Sequence, residues 1–125
     1  MTIDDVPFAK MLGIKVDSME AGHSVLSMDM RDDLMRNHGI AHGGVAASLI
    51  DSAMAMAIQP LLAENEWTTT VDLTIHYLRP LTEGSVHASA RVVRAGKRII
   101  TVSAELFDHN DKLAATAIST YLRAV

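Results

Sequence analysis

The feature that most constrains the fold of this 125-residue chain is an apolar, alanine-rich segment at residues 45–62. Its composition suits a helix, and nearly every face of that helix is hydrophobic. Such a helix has to be covered on nearly all sides, because apolar surface left in water is unfavourable. The segment therefore predicts a protein in which other elements wrap around one central helix.

One carboxylate, Asp51, interrupts this apolar segment. The residues three and four positions away on the predicted helix are not cationic; they are Ala47, Ser48, Met54 and Ala55. An intrahelical salt bridge therefore does not account for the acid. Because an unpaired buried carboxylate is costly, such a residue is often kept for chemistry. The alternative is that Asp51 lies at a solvated edge or bonds the backbone of a neighbouring loop.

The remaining pattern predicts one short helix and about five strands. The helix covers residues 6–12, and Gly13 is well placed to end it. Alternation and β-branched content predict strands at residues 24–30, 68–78, 85–94, 99–107 and 113–122. We expect the last three of these strands to pair as an antiparallel meander. The predicted fold class is α+β, with one long central helix wrapped by a curled antiparallel sheet, in a single domain over residues 1–125.

Composition excludes several classes of function. The chain has no cysteine, which removes disulfides, thiolate metal sites and a cysteine nucleophile. Its net charge of −4 argues against a nucleic-acid binder that relies on a basic face. The acidic start lacks the features of a secretory signal, so we expect a cytoplasmic protein. Asp51, Gln59 and Pro60 interrupt the helical segment, so we expect it to fall short of a membrane span of roughly 20 apolar residues.

The order of elements resembles that of the hot-dog fold thioesterases of the phenylacetate-pathway (PaaI-like) type, over residues 13–122. The residues that carry this resemblance are His42, Gly43, Gly44, Asp51 nine positions after His42, the run Tyr77-Leu78-Arg79-Pro80, and Gly96-Lys97. The resemblance implies hydrolysis of acyl- or aryl-coenzyme A thioesters at sites shared between two subunits. It also implies a homo-oligomer, either a dimer or a dimer of dimers, with no metal and no bound cofactor.

The resemblance assigns roles to three residues at the start of the helix and within it. The N–H of Gly43 is the expected oxyanion donor, since the first N–H groups of a helix lack intrahelical acceptors. The alternative is that Gly43 and Gly44 only allow a tight turn from the loop into the helix. Asp51 is expected either to activate a water as general base or to attack the carbonyl itself, and both routes remain open. His42 is expected to support the oxyanion loop through its ring, or to be purely structural.

Two further residues are weaker candidates for the catalytic site. Relatives place an Asn or Gln in the loop before the helix, usually one position upstream of Asn37, where this chain has Arg36. Asn37 therefore either orients the thioester or water, or is a turn or capping residue. Thr70 matches a position where the family offers a hydroxyl near the acid, although strands are rich in threonine in any case.

A cationic turn is the expected binding site for the phosphates of coenzyme A. It contains Arg94, Gly96, Lys97 and Arg98, and Gly44 is expected to contact the same substrate. Lys and Arg suit phosphate oxygens, but such a charge run is also typical of a solvated surface.

Two other classes of function remain open. A hydratase or dehydratase of the same fold pairs a His with an acid, although this chain lacks the proline-rich loop usual in those enzymes. A non-catalytic acyl-coenzyme A binding protein needs neither a poised acid nor an oxyanion donor.

Overall fold

A computed structural model describes residues 2–124 as one sheet and two α-helices. In chain order the elements are α1 (Pro7–Leu12), β1 (Lys15–Glu20), β2 (His23–Asp29), α2 (Gly43–Ile58), β3 (Trp67–Tyr77), β4 (Ser85–Ala95), β5 (Ile99–Phe107) and β6 (Leu113–Ala124). Gly13 ends α1 in the left-handed conformation, with φ of 75°. The predicted α+β class and the predicted helices are confirmed.

The sheet is antiparallel throughout, with the strand order β1-β2-β4-β5-β6-β3. The meander predicted for the last three strands is confirmed. Strand β3, for which the sequence predicted no partner, pairs with β6. The linker at residues 78–84 is longer than a tight hairpin turn and lets the chain cross to the other side of the sheet.

Helix α2 lies at the centre of the molecule, as its apolar composition predicts. Leu49, Ile50, Ala53 and Ala57 are fully buried, and α2 contacts β2, β4 and β5. One face of the helix is only partly covered. Its residues follow each other at helical spacing and are half-buried: Ala47, Ser48, Asp51, Ser52 and Ala55.

The sheet has six strands rather than the predicted five. The strand that the sequence did not reveal is β1, and all six of its residues are exposed. It lies at one edge of the sheet, and Lys15, Asp17 and Glu20 make it polar on both sides. Because neither face is buried, β1 lacks the alternation by which strands are recognised.

We expected the helical segment to fall short of a membrane span. Judged by length and composition alone, this expectation is wrong. The helical segment Gly43–Leu61 has 19 residues and a mean hydropathy of 1.3, so it is long enough and apolar enough to cross a membrane. Half of this segment is buried inside the protein. Its apolar character is therefore explained by its place in the core.

Candidate active site

Gly43 is the first residue of α2, and its N–H points out of the helix end. Within residues 2–124, this N–H donates no hydrogen bond. The Gly43 carbonyl accepts a hydrogen bond of 2.7 Å from the hydroxyl of Tyr77, which fixes the first turn against β3. Because the positive end of the helix dipole lies here, the free N–H is suited to binding an oxygen that becomes negative.

His42 caps the same helix end. Its Nδ1 accepts a hydrogen bond of 2.9 Å from the N–H of Gly44, so that N–H is not available to a ligand. A Cβ at position 44 would lie 3.0 Å from Nδ1, which explains why glycine suits this position. His42 therefore caps the helix end that presents Gly43.

The capping bond gives a testable prediction for stability. Replacing His42 by Ala removes the acceptor for the Gly44 N–H, and the free energy of unfolding should fall by about 1 kcal/mol. His42→Asn retains a side-chain acceptor of the right length and should lose much less. Urea unfolding of both variants measures the difference. Equal destabilisation by Ala and Asn would show that the ring packs rather than caps.

A cavity of about 300 Å³ lies beside Gly43. Its inner wall is apolar and comes from Ile40, Ala46, Leu81, Leu106 and Ala114. Its polar lining includes Arg36, His42, Tyr77 and Arg79. A volume of this size is within the range of small-molecule sites. The free N–H of Gly43 thus lies at the wall of a space that an apolar group can fill.

Asp51 lies two turns further along α2 and is half-buried. Thr70 on β3 donates a hydrogen bond of 3.0 Å from Oγ1 to Asp51 Oδ1. Tyr121 on β6 donates to the same Oδ1 and also lies 3.1 Å from the backbone oxygen of Asp51. Within residues 2–124, Oδ2 of Asp51 has no hydrogen-bond partner. The carboxylate is therefore held at one oxygen and open at the other.

Asp51 and Gly43 of one chain do not meet at a single reaction centre. They are eight residues apart, which is about 12 Å along the helix axis and about 80° around it. A carbonyl held by a donor at about 3 Å and attacked at about 3 Å from the other side needs a much shorter separation. Asp51 also does not line the cavity beside Gly43.

The structure separates the two neighbouring loop residues. Arg36 lines the cavity and Asn37 does not. The Oδ1 of Asn37 accepts a hydrogen bond of 3.1 Å from Nε of Arg36, and the Asn37 side chain is exposed. Asn37 also begins the short 3-10 turn Asn37–Gly39, which fits the turn interpretation of this residue.

The cationic turn lies at the end of the sheet nearest Asp51 of the same chain. Lys97 and Arg98 are exposed, and Gly96 is in a tight turn where an added Cβ would lie 2.8 Å from the carbonyl oxygen of Ile99. Arg123 on β6 donates a hydrogen bond of 3.0 Å to the backbone oxygen of Gly96 and thereby fixes the turn. The cations thus lie on a hairpin that Arg123 braces, and they remain open to solvent.

Sequence reasoning did not identify Tyr121. This residue is only 2% exposed, and a buried tyrosine usually finds a partner for its hydroxyl. That rule was a usable signal, but the partner, Asp51, is 70 residues away in the sequence. Within residues 2–124 no group of three or more His, Asp or Glu side chains is arranged to hold a metal ion.

Comparison with known families places this chain beside thioesterases. Residues 38–115 match the model of the thioesterase superfamily. The chain is 26% identical to the medium/long-chain acyl-CoA thioesterase YigI of Salmonella typhimurium, over 98% of this chain and 88% of that protein.

The chain is also similar to solved structures of proteins named PaaI. A variant of the phenylacetic acid degradation protein PaaI from Thermus thermophilus is 33% identical, with a TM-score of 0.86 over 94% of this chain and 99% of that one. PaaI from E. coli is 28% identical, with a TM-score of 0.89 over 98% of this chain and 87% of that one.

Proposed function

Because this chain belongs to the thioesterase superfamily and is a hot-dog thioester hydrolase of the PaaI-like type, we propose that it hydrolyses acyl- or aryl-coenzyme A thioesters at sites shared by two copies. The observation that carries the proposal is the pair of half-sites on α2. A free N–H lies beside an apolar cavity at Gly43, and a carboxylate with one open oxygen lies at Asp51.

The separation of these two half-sites supports a shared site. Since about 12 Å of helix lies between Gly43 and Asp51, each needs a complement from another copy. Pairing two copies about a twofold axis gives each site one Gly43 and one Asp51, and it gives two identical sites per dimer.

The free edge of β3 is the surface that fits this pairing. It belongs to an 11-residue strand that is mostly exposed, with Trp67 and Val71 more than half exposed. The other edge, β1, is shorter and charged, as edges that avoid pairing usually are. Thr70 contacts Asp51 and Tyr77 contacts Gly43. Antiparallel pairing of two β3 strands, centred between Thr70 and Tyr77, sets each Asp51 towards the other copy's Gly43.

The proposed reaction uses Gly43 and Asp51 on opposite sides of the thioester carbonyl. In one route Oδ2 of Asp51 takes a proton from water while the water oxygen attacks the carbonyl carbon. In the other route Oδ2 attacks directly, and water hydrolyses the resulting anhydride. In both routes the N–H of Gly43 stabilises the oxyanion, and coenzyme A leaves as the thiolate and is then protonated.

The chemical character of each part of the protein indicates which end of the substrate it binds. The cavity wall of Ile40, Ala46 and Leu106 suits an apolar acyl or aryl group. Arg94, Lys97 and Arg98 suit the phosphates of coenzyme A, with Gly96 allowing the close turn. The proposed reaction needs no metal or other cofactor, and a cytoplasmic location fits a coenzyme A ester as substrate.

The test is the release of free thiol from a panel of medium-chain, long-chain and aryl coenzyme A thioesters. We expect thiol release with at least one of these classes and none without protein. Tight binding of a thioester with no thiol released would instead support a non-catalytic acyl-coenzyme A binding protein. Hydration of an enoyl thioester with the thioester intact would support the hydratase alternative.

A further inference from the structure

Two hydroxyl groups from different strands converge on a single oxygen of Asp51. The Thr70 Oγ1 is 3.0 Å from Oδ1, and the Tyr121 hydroxyl donates to the same atom. The two hydroxyls belong to cross-strand partners, because Thr70 lies directly opposite Tyr121 in the pairing of β3 with β6. The backbone of the sheet therefore fixes both donors relative to each other.

A bulge in β3 makes this convergence possible. The register with β6 shifts between Thr70 and Asp72, so that Val71 is an extra residue and is 58% exposed. Side chains of a regular strand alternate between two faces. With the extra residue, Thr70 and Tyr77 face the helix together, although they are seven positions apart. One strand can thus contact Asp51 through Thr70 and Gly43 through Tyr77.

Both hydroxyl groups use their single proton to bond Oδ1, which leaves Oδ2 of Asp51 without a hydrogen bond from either of them. Burial and the neighbouring carboxylate of Asp51 raise the pKa of Tyr121 well above its usual value of 10.0, so its hydroxyl keeps its proton at neutral pH. Tyr121 and Thr70 each have one proton to donate, and a carboxylate is a stronger acceptor than a backbone carbonyl. Oδ1 therefore accepts both hydrogen bonds, and neither proton is transferred.

We propose that Tyr121, together with Thr70, is a positioning residue that fixes Oδ1 of Asp51 and so presents Oδ2 to the reacting water or carbonyl. The inference rests on the proposed function, in which Asp51 is the reacting acid. Tyr121 does not touch the substrate in this scheme. It acts by holding the carboxylate in one orientation, and a small misplacement of a reacting group costs up to about a hundredfold in rate.

The test measures kcat and KM for Tyr121→Phe, which keeps the buried ring and removes only the hydroxyl. We expect kcat to fall by about 10- to 100-fold with KM changed by less than about twofold. Thr70→Val should lower kcat in the same way, whereas Thr70→Ser keeps a hydroxyl and should retain most of the activity. Added to Asp51→Asn, the Tyr121→Phe change should cause no further loss, because there is no carboxylate left to hold.

Ser24→Ala is the matched control. Ser24 is fully buried, and its hydroxyl donates a hydrogen bond of 2.6 Å to the backbone oxygen of Ala53, two residues from Asp51 on the same helix. This variant also loses a buried hydroxyl bond to α2, and we expect it to lose stability and keep kcat.

The outcomes separate this inference from the proposed function. Full turnover in Asp51→Asn would refute the proposed function itself. An inactive Asp51→Asn beside a Tyr121→Phe variant with wild-type kcat would overturn the positioning role alone. The same conclusion follows if Tyr121→Phe and Ser24→Ala lower kcat equally. Should Tyr121→Phe not fold, equal kcat in the Val and Ser variants of Thr70 overturns the inference.

Discussion

Asp51→Asn is expected to lower thioester turnover by about a thousandfold and leave the fold intact. The amide has the shape of the carboxylate, and its oxygen can still accept the hydrogen bonds from Thr70 and Tyr121. It carries no negative charge, so it neither takes a proton from water nor attacks a carbonyl. Thiol release with the preferred coenzyme A thioester measures the loss, and thermal unfolding with gel filtration measures fold and assembly.

Asp17→Asn is the matched control for this prediction. Oδ1 of Asp17 also accepts a hydrogen bond from a hydroxyl, that of Ser27 at 3.1 Å, but Asp17 lies on β1 at the opposite edge of the sheet from β3. We expect this variant to keep full turnover. A wild-type rate in Asp51→Asn, or an equal loss in both variants, would remove Asp51 from the reaction.

The fold was largely predictable because its signals are local. Helix α2 was predicted over residues 45–62 and is observed as Gly43–Ile58, continued by the short 3-10 turn Gln59–Leu61. The strands with one buried face were found to within one or two residues, since alternation reports burial directly. Strand β1 was missed because neither of its faces is buried.

Pairing and contact partners could not be predicted in this way. That β3 pairs with β6 depends on how a seven-residue linker crosses the sheet, and no local pattern encodes that path. The same difference between local signals and long-range contacts applies to the residues of the candidate site. Asp51, His42 and Gly43 stand out in one short stretch of sequence. The contact of Tyr121 with Asp51 joins positions 70 residues apart, and only the folded register reveals it.

A mixture of two inactive variants, Gly43→Pro and Asp51→Asn, is expected to recover activity if each site takes Gly43 from one copy and Asp51 from the other. Gly43→Pro removes the N–H and adds a ring in its place. The backbone accepts this change, because His42, with φ of −58° and ψ of 137°, suits a residue before proline, and proline is favoured at the first position of a helix. Each variant alone should be nearly inactive. Co-expression with two different tags, and purification through both, isolates mixed assemblies. These should show roughly a quarter to a half of wild-type turnover, because one intact site forms in each mixed dimer.

Gly43→Ala separates loss of the donor from the addition of a side chain. It keeps the N–H, and its Cβ would lie 3.4 Å from the hydroxyl oxygen of Tyr77, an ordinary contact. We expect Gly43→Ala to retain far more activity than Gly43→Pro, since one oxyanion donor is worth about 3 kcal/mol in the transition state. If mixed assemblies of Gly43→Pro with Asp51→Asn stay as inactive as their parents, each site draws both groups from a single chain. The 12 Å or so of helix between Gly43 and Asp51 would then have to be closed by unwinding or bending of α2 itself, and the shared site would be wrong.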